Sequence, residues 1–164
     1  ILSPAYHFLE TTTPLRNSLR AAPLADVPWE LQPRTMLALR NRNGHLACIG
    51  GIYTNGAVRS STRSAGDLVV VADTLAPRAR ALFEPEADLS RAEALRFSAS
   101  DNFSGIAAWS LTIDGQWVPC DRFPMKGTLV HFFDTPATRS RHTARLSVTD
   151  ACGNTTHVER TFFR

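Results

Sequence analysis

The chain has 164 residues, 43% of them hydrophobic, with 18 Lys+Arg against 15 Asp+Glu and a net charge of +3. That length allows one large or two small domains with real cores, and no run approaches the ~20 apolar residues of a bilayer span. Every basic residue except Lys126 is Arg, but these are interleaved with acids instead of forming a stripe, so the electrostatic footprint of a nucleic-acid binder is missing.

The first third is punctuated by Pro4, Pro14, Pro23, Pro28 and Pro33, which excludes a helix of any length there; residues 24–31 have room for one helical turn at most. Short apolar runs predict strands at 5–9, 18–22, 35–40, 45–49, 57–61 and 68–72. Asn43-Gly44 reads as a two-residue type I′ turn joining two of these runs, and Asn55-Gly56 offers a second hairpin between Ile52-Tyr53 and Val58.

A domain boundary is expected in Asp73-Thr74-Leu75-Ala76-Pro77, where Pro77 forces an extended approach to the next strand. Residues 1–73 then form a β-sandwich-like module. Residues 74–164 predict about seven short strands, at 80–83, 94–99, 106–113, 116–119, 128–133, 143–148 and 156–163, the pattern of an immunoglobulin-like sandwich. Asp114-Gly115 is another tight turn. Ala144, Leu146 and Val148 alternate with Thr143, Arg145 and Ser147, giving one core face and one wet face. Residues 85–96 read mostly as a loop. The expected fold class is all-β, with two tandem β-sandwich domains, the second immunoglobulin-like.

The sequence carries no catalytic constellation. Cys48, Cys120 and Cys152 lack a C-x-x-C pair or an identifiable base; Cys48 reads as a small buried hydrophobe and Cys152 as a turn residue open to solvent. His7, His45, His131, His142 and His157 form neither His-x-His nor His-Glu-x-x-His, so polar strand positions account for them, and the spacing of His131 and Asp134 is a weak signal. Asp73, Asp101 and Asp150 fall at strand ends that an immunoglobulin-like sandwich gathers at one pole, where converging oxygens can hold Ca²⁺. Local Asx-turn bonding is the simpler reading of each. Trp109 is expected in the core, whereas Trp117, beside the Asp114-Gly115 turn, and Tyr53 are the candidate ligand contacts.

Several segments carry a family likeness: Gly50-Gly51-Ile52-Tyr53-Thr54-Asn55-Gly56, Gly66-Asp67-Leu68-Val69-Val70-Val71-Ala72-Asp73, Asp101-Asn102-Phe103-Ser104-Gly105-Ile106, Ile113-Asp114-Gly115-Gln116-Trp117-Val118, Asp150-Ala151-Cys152-Gly153-Asn154 and Thr161-Phe162-Phe163-Arg164. Together they resemble the C-terminal β-sandwich modules of exported Bacteroidetes peptidoglycan endopeptidases of the lysostaphin-like zinc metallopeptidase family. The likeness covers most of residues 45–164, and residues 1–44 match only loosely.

The resemblance implies export to the periplasm or cell envelope, and a catalytic domain upstream that holds the zinc. Residues 1–20 read like the middle of a polypeptide, which suits that arrangement. No zinc ligand of the family has a counterpart here, so no catalytic or cofactor-binding residue carries over. The expected role is a non-catalytic accessory region that positions the peptidase, with the upstream domain and peptidoglycan as partners. The alternative is an autonomous peptidoglycan- or glycan-binding module.

Overall fold

The computed structural model describes residues 1–8 and 16–164; residue 9, the expected end of the first strand, and Pro14 lie outside them. The chain divides into two compact units, Ile1–Thr74 and Leu75–Arg164. Both are built of strands, with short 3₁₀ turns at Gln32–Arg34 and Pro124–Lys126.

In the first unit the strands are β1 (Tyr6–Phe8), β2 (Leu19–Ala21), β3 (Thr35–Arg40), β4 (Leu46–Gly50), β5 (Ile52–Thr54), β6 (Ala57–Thr62) and β7 (Gly66–Ala72). They form a four-stranded sheet, β1-β7-β3-β4, and a three-stranded sheet, β2-β6-β5, with antiparallel pairing throughout. Leu37 of β3 and Val70 of β7 meet Val58 of β6 and Val27 in a core between the sheets. The uninterrupted apolar run of β7, with Leu68, Val69, Val70 and Val71 all buried, is what a strand covered on both faces requires.

Two hairpin expectations part company here. Asn55-Gly56 has φ of 51° and 76° and Asp114-Gly115 has 51° and 80°, the paired positive values of a type I′ turn. Asn43-Gly44 does not make this turn: only Gly44 is left-handed, at φ 78°. The Asn41 N–H donates to the His45 carbonyl, and Gly44 N–H donates back to the Asn41 carbonyl, giving a longer loop. The cause is the Asn41 side chain, whose Oδ1 accepts the N–H groups of both Asn43 and His45 and draws the chain into an Asx turn.

The second unit contains β8 (Arg78–Ala81), β9 (Ala87–Asp88), β10 (Ala94–Ser100), β11 (Ile106–Ile113), β12 (Gln116–Val118), β13 (Asp121–Phe123), β14 (Thr128–Phe132), β15 (Arg141–Asp150) and β16 (Thr155–Phe163). One sheet runs β13-β14-β10-β8 and the other β12-β11-β15-β16-β9. This is the expected immunoglobulin-like sandwich. Phe97 and Leu95 of β10 and Leu129 of β14 interdigitate with Leu111 of β11, Leu146 and Val148 of β15 and Phe162 of β16. Trp109 packs against that core, and its Nε1–H donates to the Cys120 carbonyl at 2.8 Å.

Strands β9 and β13 have no counterpart among the sequence expectations. β9 pairs parallel with β16 and is latched by its neighbour Glu86, which sits at φ 59°. The Glu86 N–H donates to the Thr161 carbonyl. Its carboxylate accepts three bonds from Arg141, at 2.7, 3.0 and 3.2 Å, and one from the Thr161 hydroxyl at 2.6 Å.

Two tests follow from this packing. Leu111→Ala should destabilise the second unit by about 2–5 kcal/mol in denaturant unfolding, while the exposed Trp117→Ala should move it by no more than about 0.5 kcal/mol. The Arg141 and Thr161 bonds hold the Glu86 carboxyl down at about 2, from an ordinary 4.5. A depressed carboxyl stabilises the fold above its unfolded value, and this contribution is lost as pH falls from about 4.5 to 2. Carboxyl NMR titration should find Glu86 moved back towards its ordinary value in Arg141→Ala; an unmoved titration would show that the latch does not form.

Candidate functional site

The second unit has two chemically different poles. At one, β10 leads into the 101–105 loop and β15 turns into β16 through 151–154, the two linked by the Ala151 N–H donating to the Gly105 carbonyl. Asp101 Oδ2 accepts the N–H groups of Phe103 and Gly105 at 3.0 and 2.8 Å. Asp150 Oδ1 accepts those of Cys152 and Asn154, both at 2.8 Å, and its Oδ2 accepts the Asn154 side-chain amide. The structure brings Asp101 and Asp150 together, with a carboxylate oxygen of each within 4.8 Å of the other. Each is nonetheless engaged by its own turn, as Asx geometry requires. Asp73 belongs to the first unit and is buried, with its N–H on the Arg34 carbonyl.

Cys152 is not open to solvent as expected: it is 6% exposed. The tight wrap of the turn around the Asp150 carboxylate carries its side chain inward. Tyr53 packs against the first unit's core and donates its hydroxyl to the Ala25 carbonyl at 3.2 Å.

The opposite pole holds a cleft of about 460 Å³. Its walls come from four separated stretches: Ile113 to Pro119 across the Asp114-Gly115 turn, His131 to Thr138 after β14, His142 at the start of β15, and Arg164. Trp117 lines it and is 67% exposed. The reason is register: Trp117 is opposite Thr112 and Val118 opposite Leu111, so Val118 takes the core side and Trp117 the solvent side. His131 is 7% exposed yet still lines the cleft.

The hydrogen bonds place a proton on Nδ1 of both imidazoles. Nδ1 of His131 lies 2.8 Å from the Pro119 carbonyl, which only accepts, so that nitrogen carries the proton. Nδ1 of His142 lies 2.7 Å from Asp114 Oδ2. Partial burial pushes the Asp114 carboxyl up, but the bonds from His142 and the Thr143 N–H outweigh it and hold the group below its ordinary value. Asp114 is therefore ionised and accepts, and His142 donates. With Nδ1 carrying a proton, the neutral form of either ring has its acceptor lone pair on Nε2.

Arg164 is spent otherwise. Its guanidinium lies 3.8 Å over the Phe133 ring and donates to the carbonyls of Leu89, Ala92 and Thr135. The Cys120 thiol behind the cleft is pushed up to about 11, by burial first and then by Asp121, which leaves it protonated and unreactive.

Sequence reasoning singled out Trp117 and noted His131 and Asp134 only as a weak spacing signal, without joining them to it. His131 was the available signal, as a titratable side chain in an otherwise apolar strand beside Leu129 and Val130. Among the described residues, no histidine belongs to a group of three or more ligating side chains. What the fold and this cleft define is an all-β protein of tandem sandwiches with a polar, aromatic-lined recess. Its sequence matches no protein-family model, and no curated protein matches it.

Replacing His142 by Phe, which keeps its ring packing with Phe162, removes the leading bond that holds Asp114 down. Carboxyl NMR should then show the Asp114 titration moving upward. An unchanged midpoint would show that the pair is not formed in solution.

Proposed function

We propose that the chain is a non-catalytic accessory and positioning region of an exported cell-wall metallopeptidase, and that the cleft of its second sandwich makes the contact. The observation that supports contact is Trp117, a large apolar side chain kept in solvent at a concave, polar site. The core does not need it there, and exposed aromatics at such places mark interaction surfaces. The cell-wall assignment rests on the resemblance of residues 45–164. On this reading zinc and catalysis belong to an upstream domain of the same polypeptide, the protein works in the periplasm or cell envelope, and peptidoglycan is the second partner.

The alternative, an autonomous peptidoglycan- or glycan-binding module, draws on the cleft lying wholly within Leu75–Arg164. Both readings require wall contact. The chain should co-sediment with purified peptidoglycan sacculi at low and at moderate salt, and Trp117→Ala should stay in the supernatant. Pelleting that disappears at moderate salt reduces the contact to arginine electrostatics; no pelleting at any salt overturns the reading.

A further inference from the structure

We propose that the cleft lined by Trp117 binds an uncharged saccharide, with a sugar ring stacked on the indole and its hydroxyls donating to Nε2 of His131 and His142. This rests on the wall-contact reading for the source of the sugar and deepens it by naming what the cleft recognises.

The first argument is the supply of hydrogen-bonding atoms. Both imidazoles have Nδ1–H committed to a protein acceptor, to Pro119 and to Asp114, so the neutral form of each offers an acceptor at Nε2. His131 is 93% buried (7% exposed) and still leaves that nitrogen without a protein donor. A ligand hydroxyl arriving in the cleft supplies the missing donor. The Trp117 indole N–H adds a donor of its own, whereas that of Trp109 is held by Cys120.

The second argument is charge. An anion entering the cleft meets the carboxylates of Asp114 and Asp134, and the guanidinium fork of Arg164 is turned to three backbone carbonyls and the Phe133 face. For a cation, the two carboxylates and the Arg164 guanidinium act in opposite directions. A neutral ligand rich in hydroxyls escapes these charge effects, and its hydroxyls match acceptors and a donor together. The third argument is shape. About 460 Å³ is within the range of small-molecule sites, and Ile113, Val118 and Pro136 give apolar wall beside the indole for the C–H face of a sugar ring.

The test is an NMR titration of the ¹⁵N-labelled 164-residue chain with two uncharged probes, a soluble chitin oligomer and a cello-oligomer, against the deacetylated, cationic chitosan oligomer. A neutral oligomer should shift the Trp117 indole N–H, leave that of Trp109 in place, and bind equally at low and high salt. Trp117→Ala should weaken binding at least about tenfold, and His142→Phe should weaken it while the Trp109 resonance reports an intact core. If neither neutral oligomer moves Trp117, or if only chitosan does so and salt removes the effect, the proposal fails. Sacculus binding that persists alongside such a failure leaves the wall-contact reading standing, whereas its loss removes both.

Discussion

At Pro119–Cys120 the second unit's chain leaves one sheet and enters the other, and much of the local structure depends on how that step is held. Its two carbonyls would otherwise stand without partners between the sheets, a cost comparable to two lost hydrogen bonds. Trp109 on one sheet and His131 on the other supply the donors, each at 2.8 Å. The indole of Trp109 is thereby tied to the core, and the tautomer of His131 is set. β12 can then stop after three residues, so that Trp117, just before the crossing, stands at the margin of the sheet. The same enclosure desolvates Cys120 and makes its thiol inert. A recess exists at this end because the chain switches sheets there, and it is polar because a histidine makes the clasp.

The two poles of this sandwich show how similar residue types take opposite roles. Asp101 and Asp150 have backbone N–H partners two and four residues on, so their charge organises their own loops. Asp114 also accepts a backbone N–H, but its second oxygen orients His142, whose far nitrogen is left for another molecule. One set of carboxylates ends in structure and the other passes its influence outward through a ring.

How much of this the sequence displays depends on whether the cause is local. The alternation of β15 and the paired turns Asn55-Gly56 and Asp114-Gly115 are legible because pleat and positive φ are properties of neighbouring residues. Asn43-Gly44 misleads because a side chain two residues earlier captures the turn. β9 and β13 are too short for any period; β9 exists through Glu86, Arg141 and Thr161, up to 75 positions apart. The cleft is still less visible, since four stretches between 113 and 164 meet only after both sheets form. Trp117 could be picked out because its turn is local, whereas the His131 and Asp134 spacing gave only a weak signal.

Trp109 and Trp117 make the functional argument by contrast. They lie on paired strands and share a chemistry, but the fold treats them differently. Trp109 has its ring against the core, its N–H bonded and the Arg122 guanidinium over its face. Everything about it is accounted for by stability. Trp117 has none of these partners and leaves most of its surface in water, where an apolar side chain adds little to folding. An indole at such a place, beside two imidazoles whose outer nitrogens have no protein donor, is accounted for once a ligand completes the set. Stacking is the interaction a solvent-facing indole can make without help from the core, and a sugar ring supplies the matching face.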